Sequence, residues 1–176
     1  MNSYFKIFGL TAVIGINLSL AGCAPNKRTE PLEELPPIDH ILVEKGQRSL
    51  SVFSDKKLLK TYRISLGRAP QGHKEREGDH KTPEGIYTIA AKDPNSKFFR
   101  SLTISYPNKQ DRQNAAKKNF SPGGGVLVHG YEPHLNWVSQ DHSLIDATRG
   151  CILLTNGEMQ QIFDATPVGT KIEIRA

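Results

Sequence analysis

From residue 41 onward, short apolar runs alternate with polar residues at a period of two, and clusters of Gly, Pro, Asp and Lys interrupt them. Successive side chains of a strand face opposite sides, so this pattern buries one face of a sheet and wets the other. Ile41, Leu42 and Val43 precede a Lys45-Gly46-Gln47 turn, and Leu50 and Val52, with Arg48, alternate with Ser49, Ser51 and Phe53. Asp55-Lys56-Lys57 then turns the chain into a strand over 58–66. Two hairpin-linked strands cannot bury their apolar face alone. Further strands are predicted over 86–91, 102–106, 126–128 and 171–175, the first of them entered through the Thr82-Pro83-Glu84-Gly85 turn. Residues 67–81, rich in charge and glycine, read as a long exposed loop suited to binding. A short helix fits 111–118. A second starts at a capping box of Thr155 and Glu158, runs to about residue 164, and buries Met159, Ile162 and Phe163. The expectation is a mainly β domain with one or two short helices, spanning 38–176 as one core. No internal repeat is visible.

The N-terminus has a different character. Lys6 precedes a stretch from 7 to 20 that is apolar apart from Thr11, Asn17, Ser19 and its glycines. That is shorter than the roughly 20 residues needed to span a bilayer, but it suits the apolar region of a signal peptide. The following Leu20-Ala21-Gly22-Cys23 resembles the bacterial lipobox, whose cysteine becomes a lipidated N-terminus; the plain alternative is a signal peptide with an incidental cysteine. Residues 1–22 are thus expected to be a lipoprotein signal peptide. Residues 23–37, with four prolines, are expected to be a lipidated start and a tether reaching about 40 Å. The resemblance implies a lipid-anchored, exported protein of the cell envelope. With Ala24 rather than Asp after Cys23, a Gram-negative host implies the outer membrane, facing the periplasm.

The formal charge of +5 is scattered, with no interleaving of basic and aromatic residues, so a nucleic-acid partner is not expected. Solubility explains the charge adequately; attraction to an anionic wall polymer or to headgroups is the functional alternative.

Cys151 lies in Thr148-Arg149-Gly150-Cys151-Ile152-Leu153-Leu154-Thr155-Asn156, downstream of a strand that ends in His129-Gly130. A thiol with an ordinary pKa near 8.5 is mostly protonated at neutral pH, so a nucleophilic cysteine needs a base or a positive field. A strand end would fix His129 as that base, and Arg149 would add charge beside the sulfur unless its side chain points to solvent. Gly130 and Gly150 leave room for a substrate backbone, and Gly150 frees nearby backbone N–H groups to support an oxyanion. From these residues alone, Cys151 is as well read as a buried structural cysteine.

The chain from 41 to 175 resembles the L,D-transpeptidase (YkuD-type) catalytic domain. His129-Gly130 matches the family's His-Gly element. Thr148, Gly150, Cys151, Ile152, Leu154 and Asn156 match its Ser/Thr-His-Gly-Cys segment, and Gly78-Asp79-His80-Lys81-Thr82-Pro83-Glu84-Gly85-Ile86-Tyr87 matches its Gly-Asp-x-x-Thr-Pro-x-Gly-x-Tyr segment. Pro167-Val168-Gly169-Thr170 before a last strand is a further shared trait. The resemblance implies a β-rich sandwich in which Cys151 attacks a peptide carbonyl of a peptidoglycan stem. His129 takes the thiol proton, and a thioester forms that passes to an amine acceptor. It also implies that a backbone carbonyl orients His129, although Asp141 and Asp146 are acidic residues of the same region.

Two positions depart from the family: Arg149 stands where it has histidine, and Leu153 where it has arginine. A hydrolase or amidase of the same fold, releasing wall-linked peptides or proteins, is therefore the alternative reading, and a non-catalytic wall-binding lipoprotein is a third. Thr148, Arg149, Gly130, Tyr131 and Trp137 are candidate substrate-binding residues. No cofactor is expected, and His129, His134, His142 and Cys151 match no standard zinc spacing. The oligomeric state is not legible in the sequence.

Overall fold

The computed structural model describes Met1 and residues 33–132, 134–135 and 145–176. The expected signal peptide, Cys23 and most of the tether lie outside the described residues, as do Trp137, Asp141 and His142. The fold below is that of the unit Leu32–Ala176.

Eight strands and two helices make up the domain: β1 (His40–Glu44), β2 (Ser49–Ser54), β3 (Lys57–Arg63), β4 (Gly85–Asp93), β5 (Ser101–Ile104), α1 (Lys109–Lys117), β6 (Leu127–His129), β7 (Ile152–Leu153), α2 (Asn156–Ala165) and β8 (Lys171–Arg175). The strand order is β3-β2-β1-β8-β4-β5-β6-β7. The long β4 pairs with β8 at one end and β5 at the other, with a register shift between Ile89 and Ala91, so it belongs to both layers of a β-rich sandwich.

The alternation in the sequence is cashed out directly in burial. Ile41 and Val43 of β1 lie opposite Ile172 and Ile174 of the parallel β8, and all four are at most 2% exposed. The β2–β3 hairpin turns on Asp55 and Lys56, both with positive φ, the backbone that a two-residue turn between twisted strands requires. Both helices carry capping boxes. The one at Thr155 and Glu158 is where the sequence places it, and Met159, Ile162 and Phe163 are buried as expected. Helix α1 begins earlier than expected, because Asn108 caps it and Asp111 reaches back to the Asn108 N–H.

One element is new. Ile152 and Leu153 form a two-residue strand beside β6, in parallel register. The chain beyond β3 returns to the far side of this strand: Ser65 and Leu153 exchange both backbone hydrogen bonds (2.9 and 3.0 Å), and Gly67 bridges Thr148. The first and last strands of the order thus meet, and the sheet closes on itself through residues 64–67. That seam is where Cys151 sits.

Candidate active site

His129 ends β6 opposite Leu153 of β7. Cys151 precedes β7 and lies two residues before Leu153, so the alternation of a strand puts Cys151, Leu153 and His129 on one side of the sheet. Ile152 and Leu154 point the other way and are fully buried. Cys151, Leu153 and His129 line one cleft of about 620 Å3, together with Arg68, Lys97, Phe98, Gly130, Tyr131, Glu132, Leu135, Ala147, Thr148 and Arg149.

The imidazole is held in one tautomer. Nδ1 lies 2.7 Å from the Gly130 carbonyl oxygen, which can only accept, so Nδ1 carries the proton and Nε2 keeps its lone pair. A backbone carbonyl therefore orients His129. Asp146 is engaged elsewhere: it pairs with Arg48 (2.6 Å) and accepts the Leu66 N–H (2.9 Å), bracing the seam behind the cleft. Phe98 packs on the His129 ring with centroids 4.5 Å apart and planes 31° apart, and the Lys97 ammonium covers the Phe98 ring. With only 6% of His129 exposed, burial holds its pKa below the ordinary histidine range. The Gly130 carbonyl and Glu132 oppose that shift without reversing it.

The thiol is shifted in the complementary direction. Burial pushes Cys151 above the usual thiol range, while the Leu127 N–H and the Lys74 charge pull weakly downward. Its Sγ points a weak hydrogen bond at the Gly125 carbonyl, 3.9 Å away. The resting pair is accordingly a neutral thiol and a neutral imidazole. Lys74 is the cation that pulls on the sulfur, and Arg149 is exposed on the cleft rim, where solvent screens it.

The turn that presents the sulfur is tightly braced. Thr148 Oγ1 accepts the Gly150 N–H (3.1 Å) and donates to the Cys151 carbonyl (2.8 Å). Thr148, expected among the substrate-binding residues, instead clamps this turn; it touches the cleft but its hydroxyl is occupied. The same bond engages the N–H of Gly150, so an oxyanion donor at this turn must be a neighbouring N–H. Gly150 has φ +123°, and a β-carbon there would lie 2.5 Å from the Lys81 carbonyl oxygen. Close approach is what position 150 requires.

That Lys81 carbonyl ends the loop over 67–81, which the sequence reads as exposed and binding. Much of it is a support. Asp79 accepts the N–H groups of Arg76, Glu75 and Lys81 and pairs with the buried Lys74; against the opposing effect of burial, the Arg76 N–H, the Lys74 ammonium and the other two N–H groups together hold its carboxyl down at about 2. Lys45, 2% exposed, inserts its ammonium between the Gly72 and Thr82 carbonyls and Glu84. The Gly67 N–H donates to Thr82 Oγ1. On the other flank, Asn156 Oδ1 accepts the Tyr131 N–H at 2.7 Å and fixes the chain leaving His129. Among the described residues, no group of three or more His, Cys, Asp or Glu side chains is placed to hold a metal ion.

Phe98 had no sequence signal, since Lys97, Phe98 and Phe99 sit in a connection without periodicity. Its contact is testable without turnover. Phe98→Ala opens one ring face of His129 to water, so the imidazole pKa is expected to rise toward the ordinary histidine range. An NMR titration of the ring reads this shift directly; an unchanged midpoint would show that Phe98 does not desolvate it.

A catalytic-domain model for the L,D-transpeptidases (YkuD) matches residues 38–174, and the chain belongs to that family. YafK of Escherichia coli K12 is 28% identical over 130 residues, 70% of this chain and 45% of YafK. YqjB of Bacillus subtilis 168 is 26% identical over 148 residues, 82% of this chain and 76% of YqjB. Both carry a provisional L,D-transpeptidase name. The crystal structure of the helical cell shape determining protein Pgp2 of Campylobacter jejuni superposes with a TM-score of 0.61 at 26% identity, over 79% of this chain and 48% of that one. The chain therefore spans about half the length of YafK and of Pgp2.

Proposed function

We propose that this protein is a cysteine enzyme of peptidoglycan, in which Cys151 acylates itself on a stem peptide and His129 moves the protons. Family membership and fold support a peptidoglycan-modifying activity. The observation that carries the finer reading is the shared cleft, with His129 fixed by the Gly130 carbonyl so that Nε2 is the free base.

Because burial raises the thiol and lowers the imidazole, a preformed thiolate–imidazolium pair is disfavoured at rest. Proton transfer to Nε2 then accompanies attack of Sγ on the carbonyl, as general-base catalysis. Charge develops on the carbonyl oxygen, and with the Gly150 N–H engaged by Thr148, a neighbouring N–H of the turn meets it. Collapse breaks the C–N bond; the leaving amine takes the proton from His129, and a thioester remains on Sγ. An incoming amine, or water, gives its proton to His129 as it attacks the thioester; the C–S bond then breaks, and the expelled sulfur takes that proton back from His129, which restores the thiol.

Leu153 favours a second reading of the last step. It lines the cleft opposite His129, where the family arginine would place charge, and contributes none to an incoming acceptor. Water then competes better for the thioester, and the protein acts as a hydrolase of the same fold. Incubation with purified wall fragments, with products resolved by mass, distinguishes the outcomes: crosslinked products identify transfer, shortened stems identify hydrolysis, and unaltered fragments would contradict the proposal.

The cellular setting is proposed from the lipobox-like Cys23. Among the described residues, no helix is long and apolar enough to cross a membrane. The mature chain is expected to start at a lipid-modified Cys23 and to fractionate with membranes. Mass spectrometry that finds an unmodified start elsewhere, in a soluble fraction, would overturn this.

A further inference from the structure

The cleft has more positive charge on its walls than catalysis by a thiol and an imidazole needs. Among the described lining residues, Arg68, Lys97 and Arg149 are cationic, and Glu132 is the one acid, itself beside the His134 ring (3.6 Å). The cations differ in how they are held. Lys97 covers the Phe98 ring. Arg149 is exposed on the turn of the nucleophile, and Arg68 is exposed as well. Arg68 comes from the opposite side of the seam and is anchored at two points. Its backbone N–H donates to the Thr148 carbonyl (3.0 Å), and its side-chain Nε donates to the Ala147 carbonyl (3.1 Å).

Anchoring by Nε has a chemical consequence. A guanidinium is a planar fork, and a bond from Nε to the protein fixes that plane while its terminal amino groups remain as donors. Those groups match the two oxygens of a carboxylate, and a held fork loses less freedom on binding than a free lysine does. Among the described residues no carboxylate pairs with Arg68, in contrast to Arg48, whose fork is closed on Asp146. Arg68 is also close in the fold to the site where charge is missing. Leu153 pairs through its backbone with Ser65, three residues before Arg68, so the strand that covers Leu153 leads into this arginine.

We propose that Arg68 is a specificity-determining residue that binds a free carboxylate of the peptide substrate in the cleft beside Cys151. This rests on the function proposed above. The cleft thereby selects donor peptides that carry an unamidated carboxylate near the bond to be broken.

The test compares the full chain and its variants on two synthetic stem peptides, one with a free carboxylate at its end and one with that group as the amide. The wild type is expected to favour the acid by about tenfold or more in kcat/KM, the order of one charge-assisted pair. In Arg68→Ala the preference is expected to collapse to within about twofold, through a raised KM for the acid with kcat nearly unchanged. Arg68→Lys keeps the charge without the fork and is expected to retain only part of the preference. Because Arg68 also touches the chain before the nucleophile, alkylation of Cys151 by a neutral thiol reagent serves as the control. An unchanged alkylation rate in Arg68→Ala shows that the turn is intact, and a changed rate together with an equal loss on both peptides would assign Arg68 to bracing alone. A wild type that turns over both peptides equally, or an Arg68→Ala variant that still prefers the acid, would overturn the proposal. A wild type that turns over neither peptide would instead count against the function itself.

Discussion

Cys151→Ser is expected to abolish turnover of peptidoglycan stem peptides, by roughly 10^4-fold or more, while leaving the domain folded. A serine hydroxyl is a far weaker nucleophile at neutral pH than a thiol, and nothing else at this turn can take its place. The hydroxyl is smaller than the thiol and fits the same space, and the Thr148 clamp acts through the backbone of residues 150 and 151, which the substitution leaves alone. His129→Ala is expected to cost about 10^2- to 10^4-fold, the range of a lost general base. The acid limb of the wild-type kcat/KM profile is expected below the ordinary histidine range, because His129 must be neutral to accept the proton and burial keeps it neutral to lower pH. Steady-state assays across pH check all three. A Cys151→Ser enzyme with near-normal turnover, or an acid limb above 6.5, would contradict this assignment.

The second large effect is structural. Gly67→Ala is expected to destabilise the domain by about 3 kcal/mol, the upper part of the range for forced overpacking. A β-carbon there would collide with the His80 carbonyl oxygen and lie 2.9 Å from the Gly150 Cα. Both obstacles are backbone, so neither can rotate aside. Three chain segments meet at this point: the strand extension over 64–67, the loop ending at Lys81, and the turn that carries Cys151. Separating them opens the seam of the closed sheet and displaces the sulfur, so activity should fall with stability. Thermal unfolding is expected to shift down by roughly 10 °C for a domain of this size. A variant with a Tm within 2 °C of wild type would show that the seam is looser than the packing implies.

This contact also explains why the segment from Gly78 to Gly85 can be read in the sequence but its purpose cannot. Its glycines, proline and aspartate announce turns; strands β2 and β8 follow from alternation, and β1 and β6 from short apolar runs. The capping boxes at Asn108 and Thr155 are local hydrogen-bond patterns; the second is visible as a Thr and a Glu three residues apart, whereas the first uses an Asn and an Asp that form a less distinctive pair. What local pattern cannot supply is partnership across the chain. Strand β7 has two residues and exists because β6 and Ser65 flank it. Lys45 looks like a solvated turn lysine, yet it is buried among carbonyls 27 and 37 residues away. Thr148 reads as a residue near substrate because it adjoins the nucleophile, and only its two hydrogen bonds show it to be a clamp. Phe98 and Arg68 lie in segments with no periodicity, so their places beside His129 and on the cleft wall emerge only once the sheet closes.

The chemistry of Cys151 is tested most directly by intact-protein and peptide mass spectrometry after mixing the protein with a stem peptide and quenching in acid, which preserves a thioester. A mass increase equal to the acyl part of the peptide, located on Cys151, is expected in the wild type and not in Cys151→Ser. Turnover of the same peptide by the wild type, with no acyl adduct on Cys151 even at the shortest quench times and undiminished turnover in Cys151→Ser, would contradict it.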